Sequence, residues 1–256
     1  MSARWRLDGR VALVTGASRG IGAAIAAELL ALGAEVLLVA RGEADLEAAV
    51  EAHRARGAPA SGVAADVSTA EGRARVLAAA RARWDRLDVL VNNAGTNLRK
   101  PTLEVTPEDW RALLDQNVTG ALALCQACQP WLVSSGQGAV INVSSVASKR
   151  AVRSSTAIYA MSKGALDNLT RFLAAEWAPS GVRVNSVSPW YVATPLANAV
   201  LSDPERRARI LSRTPLGRVG EPADVAAAVA FLALPAAGWI TGVDLPVDGG
   251  FLTLGL

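Results

Sequence analysis

Two patterns of apolar and polar positions alternate along this 256-residue chain. Short runs of Val, Leu, Ile and Ala occur at 11–15, 36–40, 61–66, 88–91, 140–143, 182–187 and 243–247. Their length and β-branched content are those of buried strands. Longer stretches rich in Ala, Leu, Glu and Arg occupy 20–32, 43–56, 70–83, 107–132, 158–177, 204–212 and 222–234 and read as helices. Thr106 is placed to cap the fourth of these, with Pro107 at its first position. Strand and helix therefore alternate about seven times. Parallel strands need crossover connections, so the pattern predicts an α/β protein: a parallel sheet with helices on both faces. No linker rich in Pro, Gly or Ser interrupts the chain, and no repeat is present. A single domain over 1–256 is expected.

Composition narrows the chemistry. One His (His53) and two Cys (Cys125, Cys128) furnish neither a zinc site nor a disulfide framework. A reducing, cytoplasmic setting is the expectation. The net charge of +3 comes from dispersed Arg, so no nucleic-acid surface is indicated. Residues 1–9 lack the apolar core of a secretory leader. No charge-free apolar run reaches about 18 residues, so no membrane span is expected. The N-x-S/T triplets at Asn117, Asn142 and Asn168 are then chance occurrences.

The first strand runs into Thr15-Gly16-Ala17-Ser18-Arg19-Gly20-Ile21-Gly22, where a helix begins. Glycines there permit a tight turn and let backbone approach a pyrophosphate, while the helix N-terminus offers unpaired N–H groups. The same residues also fit G-x-S-x-G, the nucleophile elbow of serine hydrolases. That reading needs a later acid and then a His, yet only His53 exists, in a polar stretch. The end of the second strand selects the cofactor. An acid there would hold the ribose 2′-hydroxyl of NAD, and an Arg would hold the 2′-phosphate of NADP. Here Val39-Ala40-Arg41 lacks the acid, and Arg19 adds a second guanidinium, so NADP(H) is expected.

Tyr159 and Lys163 stand four apart on one predicted helix face. A free Tyr titrates near ~10, and bringing it to ~7 takes roughly 4 kcal/mol. One cation at ~4 Å with an effective dielectric of ~20 supplies about that much. Lys163 is therefore expected to make Tyr159 an acid/base near neutral pH. The preceding strand ends in Asn142-Val143-Ser144-Ser145, and the fourth in Asn92-Asn93-Ala94-Gly95. Both lie on the carboxyl edge of the sheet, where ligands bind in such folds.

Taken together, these segments resemble the short-chain dehydrogenase/reductase family. The resemblance rests on Thr15-Gly16-x3-Gly20-Ile21-Gly22, Asn92-Asn93-Ala94-Gly95, Ser145, Tyr159-x3-Lys163, Pro189 with Thr194, and Val247-Asp248-Gly249-Gly250. Gly95 to Pro101 and Ser188-Pro189-Trp190-Tyr191 look most like its tropinone-reductase-like branch. The resemblance implies a Rossmann-like, doubly wound, seven-stranded parallel sheet. It implies an oxidoreductase that interconverts a small-molecule carbonyl and a secondary alcohol. Tyr159 would donate the proton, Ser145 would hold the substrate oxygen, and Lys163 would lower the Tyr159 pKa and bind the nicotinamide ribose. Asn117 would position a water in a proton relay. Asp66 and Val67 would flank the adenine, Asn93 would lie by its ribose beside Ala94 and Gly95, and Pro189, Val192 and Thr194 would line the nicotinamide. Helices 107–132 and 158–177 would pair between subunits in a homodimer or homotetramer.

Two departures stand out. Trp190 occupies a place where the family commonly has Gly, so Trp190 and Tyr191 are expected to shape the substrate pocket. Ser145 and Tyr159 are 14 positions apart where 13 is usual. An extra residue among 149–156 is the expected cause, and otherwise Ser144 would take the role. Cys125 and Cys128 form a C-x-x-C, but deep in a helix, and are expected to be inert. Substrate contacts are expected from 149–156, 190–200 and Arg99. An NADP(H)-binding sensor without turnover is the competing function.

Overall fold

The computed structural model describes residues 2–152 and 156–254. Seven strands form the sheet: β1 (Val11–Thr15), β2 (Glu35–Ala40), β3 (Ala60–Ala64), β4 (Val89–Asn92), β5 (Ala139–Val143), β6 (Arg183–Pro189) and β7 (Asp244–Val247). Every pairing is parallel, and the spatial order is β3-β2-β1-β4-β5-β6-β7. The order reverses direction between β1 and β4. Their carboxyl ends diverge there, which opens the crevice that ligands occupy in this architecture. The sheet is Rossmann-like and doubly wound, as the sequence predicts.

The helices are α1 (Gly20–Ala31), α2 (Glu43–Arg54), α3 (Ala70–Arg81), α4 (Pro107–Leu114), α5 (Gly120–Ser134), α6 (Ala157–Trp177), α7 (Pro195–Leu201), α8 (Pro204–Ser212) and α9 (Pro222–Ala233). Two apolar layers sandwich the sheet. Ile25, Leu29, Leu46, Val225 and Val229 pack on Val14, Val36, Leu38 and Ile141 on one face. Val76, Leu124, Leu132, Leu173 and Trp177 pack on Leu13, Leu37, Leu90 and Val140 on the other. Strands β1, β4 and β5 are buried at every position, which is why they read as unbroken apolar runs. Each buried Val, Leu or Ile contributes roughly 1.5–3 kcal/mol.

Two expectations change. The helix predicted over 107–132 is broken by a π-turn, Asp115–Thr119, between α4 and α5. The apolar pattern on either side conceals the extra residue. In 190–200, expected to be loop, α7 is a helix starting at Pro195, a residue whose fixed φ suits a first helical turn. Among the described residues no helix is long and apolar enough to cross a membrane.

Candidate active site

A cleft of about 770 Å³ runs along the carboxyl edge of the sheet. Its described lining includes Gly16, Ser18, Arg19, Gly20, Ile21, Gly22, Arg41, Asp66, Val67, Asn93, Ala94, Gly95, Ser145, Tyr159, Lys163, Pro189, Trp190, Tyr191, Val192 and Thr194. Of the predicted site residues, Asn117 alone is absent from it. It is buried one layer behind.

The floor is the turn between β1 and α1. Gly16 and Gly20 have φ of 65° and 59°, in the left-handed region that Gly adopts without strain. A Cβ on Gly22 would collide with the Gly16 carbonyl and the Asn93 amide. Asn93 braces this turn: its Nδ2 donates to the carbonyls of Thr15 at 2.8 Å and Gly16 at 3.1 Å. The Asn93 and Ala94 N–H groups both donate to Thr15 Oγ1 at 3.0 Å. The side chain expected near the adenine ribose is thus committed to holding the turn in shape. Backbone packed this closely, opening onto a helix N-terminus, suits a pyrophosphate.

At the far end, β2 finishes at Ala40 and Arg41 follows it. The exposed Arg41 guanidinium lies 3.9 Å from Asp66, and Asp66 accepts from the Ser68 N–H and hydroxyl at 2.9 and 2.7 Å. The position just past the strand is Arg41 and not an acid, and the two carboxylates lining this end, Asp45 and Asp66, come from α2 and from the segment after β3. Arg41 and Arg19 both face the cleft. These residues fit a 2′-phosphorylated dinucleotide. Ser18 sits in this turn, whereas His53, the chain's one imidazole, is on α2 and does not line the cleft. The elbow reading lacks its base.

At the opposite end, the Thr156 side chain caps α6 by accepting from the Tyr159 N–H at 3.4 Å, which fixes the turn carrying Tyr159. Lys163 follows one turn later. Ser145 caps a short 3-10 turn, Val146–Ser148, with its hydroxyl accepting from the Ala147 N–H at 3.2 Å. The Ser145 and Tyr159 side chains both line the cleft at this end, and the Ser145 hydroxyl acts on the Tyr159 phenol. Ser144 points away, its buried hydroxyl donating to the Lys163 carbonyl at 3.3 Å. The longer spacing therefore leaves Ser145, not Ser144, opposite Tyr159. Part of the intervening segment, 153–155, lies outside the described residues.

Burial pushes the Tyr159 phenol above its ordinary value, while the Ser145 hydroxyl and then the Arg99 charge pull it back down. Lys163 Nζ lies 5.9 Å from the Tyr159 ring centroid and donates to the Val143 carbonyl at 2.8 Å. Burial lowers the Lys163 ammonium to about 8, against an opposing pull from Asp167.

The π-turn carries Asn117 inward. Its Oδ1 accepts from the Thr96 N–H at 2.9 Å, and its Nδ2 donates to the Thr96 carbonyl and Ser162 Oγ, both at 3.0 Å. A Cβ on Gly95 would sit 3.4 Å from both Asn117 Oδ1 and Lys163 Nζ, so Gly95 leaves the space between them open. π-Turns inside helices recur at functional sites for this reason: they turn one side chain out of the helix register.

Some expectations on the surrounding segments need correction. Lys149 does not face the cleft. It donates to Asp167 and Ser188, each at 3.2 Å, and pairs with Asp244, which locks the Ser145 turn to α6 and β7. Trp190 does border the cleft. It also stacks flat on Phe251, centroids 3.7 Å apart, and donates from Nε1 to Thr214 Oγ1 at 3.2 Å. It thereby fastens the C-terminal segment and α8 to β6. Tyr191 meets its ring edge-on at 4.7 Å. Sequence reading missed a buried amide ladder beneath the site. Asn92 Nδ2 donates to Asn142 Oδ1, and Asn142 Nδ2 to Thr170 Oγ1, both at 2.9 Å. The signal was available: both Asn sit at the same level of adjacent strands. Cys125 and Cys128 are buried, with thiols pushed up to about 12, so neither forms a thiolate near neutral pH. Burial of Asn117 and Asn142 also agrees with chance glycosylation triplets.

A sheet in this order, a glycine turn at its switch point, and a Ser–Tyr–Lys set across the crevice define a dinucleotide-dependent oxidoreductase architecture. The profile described as Enoyl-(Acyl carrier protein) reductase matches residues 16–252. The chain belongs to the short-chain dehydrogenase/reductase family. A tropinone reductase homolog of Arabidopsis thaliana is 44% identical over 253 residues, 98% of this chain and 96% of its own. A gluconate 5-dehydrogenase from Burkholderia cenocepacia, solved with NADP and tartrate, superposes with a TM-score of 0.93 at 36% identity, covering 99% of each chain. A solved structure from Beutenbergia cavernae, with NADP bound, has 40% identity and a TM-score of 0.93. It covers 98% of this chain and 100% of its own.

Proposed function

We propose that the protein is an NADP(H)-dependent oxidoreductase that reduces a carbonyl to a secondary alcohol or runs the reverse, with Tyr159 as the acid/base. The observation that carries this reading is the meeting of Ser145, Tyr159 and Lys163 in the lining of one cleft that also presents Arg41. The bound cofactor supplies or accepts hydride. Gly16 to Gly22 hold its pyrophosphate, Arg41 and Arg19 its 2′-phosphate, and Asp66 and Val67 flank its adenine. Pro189, Val192 and Thr194 line its nicotinamide. Ser145 fixes the substrate oxygen by hydrogen bonding. Tyr159 passes its phenolic proton to that oxygen in reduction and takes it back in oxidation. Lys163, with a pKa of about 8, exchanges protons readily near neutral pH. The gap over Gly95, between Lys163 and Asn117, is the route by which a water refills the Tyr159 proton.

A sensor without turnover needs no Ser–Tyr hydroxyl pair, and the pair favours the enzyme. Exposed Met161 and Phe172 on α6 support pairing of copies through this face, as a homodimer or homotetramer. We read the chain as one domain over 1–256, and its unpaired Cys suit the cytoplasm. The test is a carbonyl and alcohol panel with NADPH and NADH. NADPH consumption by at least one ketone is expected. Tight NADPH binding with no oxidation across the panel would favour the sensor.

A further inference from the structure

Charge is distributed unevenly along the cleft. Its described lining contains two carboxylates, Asp45 and Asp66, both at the Arg41 end. At the Tyr159 end the described lining holds no carboxylate but two cations, Lys163 and Arg99. Lys163 is buried and committed to the Val143 carbonyl. Arg99 is exposed, and no ion pair joins it to a carboxylate among the described residues. Its neighbour Lys100 is neutralised by Asp109 at 2.7 Å. One Arg99 nitrogen, Nη2, donates to the Leu196 carbonyl at 3.2 Å, in the first turn of α7. That tether holds the guanidinium at the mouth, and its charge reaches the Tyr159 hydroxyl.

We propose that Arg99 binds a carboxylate on the substrate, which makes the substrate a short oxo acid or the matching hydroxy acid. This rests on the carbonyl–alcohol reading above and adds the charge class. The acid's reacting oxygen lies between Ser145 and Tyr159, and its carboxylate lies on Arg99. The guanidinium presents a planar fork of N–H donors, a geometric match to a carboxylate. One Arg suits a monoanion, whereas a phosphate ester carries nearly two charges and calls for several donors. An ammonium-bearing ketone would meet two cations and no counter-charge.

The test uses the whole enzyme with NADPH. Short oxo acids are compared with their methyl esters, with an ammonium-bearing ketone and with a keto phosphate ester. The acids should exceed their esters in kcat/KM. Arg99→Leu should cut that acid-over-ester ratio by about 10- to 100-fold, chiefly through KM, with partial recovery in Arg99→Lys. The ratio separates binding from any effect of Arg99 on Tyr159 or on the α7 tether, because those act on acid and ester alike. Equal turnover of acid and ester, preference for the phosphate or ammonium compound, or an unchanged ratio in Arg99→Leu would each overturn the proposal while leaving a carbonyl reductase in place. No NADPH oxidation with any compound would overturn the carbonyl–alcohol reading beneath it as well.

Discussion

Lys163 Nζ donates to the Val143 carbonyl at 2.8 Å, inside a site where burial lowers its pKa from 10.5 to about 8. The bond joins the first turns of α6 to the end of β5. It also places a titrating ammonium under the sheet edge, with a definite consequence for stability.

Below pH 8 the folded and unfolded chains both carry the Lys163 proton, and the fold bears a burial cost of about 3 kcal/mol. Between pH 8 and 10.5 the unfolded chain holds more proton than the folded one, so this group makes stability rise with pH. Tyr159 has the opposite sign. Its raised pKa gives a contribution present below pH 10 and lost above it, so the two separate cleanly between pH 8 and 10. Urea midpoints of wild type and Lys163→Met at pH 7.5 and 9.5 check this. Wild type should gain on the variant at the higher pH, and a constant difference would refute it.

Tyr159→Phe removes the phenolic proton and keeps the ring. The rate of NADPH oxidation should fall about 10²- to 10⁴-fold, the range of acid/base catalysis. NADPH affinity, read by fluorescence titration, should change little because the ring stays.

Arg41→Ala takes away the guanidinium at the end of β2. NADPH should bind about 10- to 100-fold more weakly, and NADH should be affected far less. The ratio of the two dissociation constants is the measurement, and equal losses would assign Arg41 a merely structural part.

Phe251→Ala unstacks Trp190. The lost contact should destabilise the fold by about 3 kcal/mol, read from the denaturation midpoint. Cleavage by trypsin after Arg213 or Arg218, next to the released C-terminal segment, should quicken at the same time.

How much of this was legible in the chain depended on whether a feature was local. Val11–Thr15 and Pro204–Ser212 fall at the predicted bounds because a buried apolar run and a proline-led, Asp203-capped helix each announce themselves in adjacent residues. The glycine turn, Arg41, Ser145 and Tyr159 lie together in the cleft because alternating strands and helices bring every carboxyl end to one edge. Long-range partners were not legible. Nothing near Lys149 in sequence indicates that Asp167 and Asp244 draw it away from the cleft. Nothing near Trp190 announces Phe251, 61 positions on. Spacing of four brings Lys163 Nζ to 5.9 Å from the Tyr159 ring, as a local pattern can foretell, whereas the pull of Arg99 on the phenol comes from a residue distant in sequence.

The π-turn at Asp115–Thr119 makes one shaft, from Pro107 to Ser134, into two helices of different phase. One phase aims Asn117 at Thr96 and Ser162. The other lays Leu124, Cys128 and Leu132 against the sheet. Each residue of an α-helix advances the phase by about 100°. Deleting one residue here would therefore not trim a loop. It would rotate a whole apolar face away from the core or swing the Asn117 amide away from Thr96 and Ser162. The length of this segment is fixed by angle as much as by distance, so changes in chain length along the shaft should be tolerated only in compensating pairs.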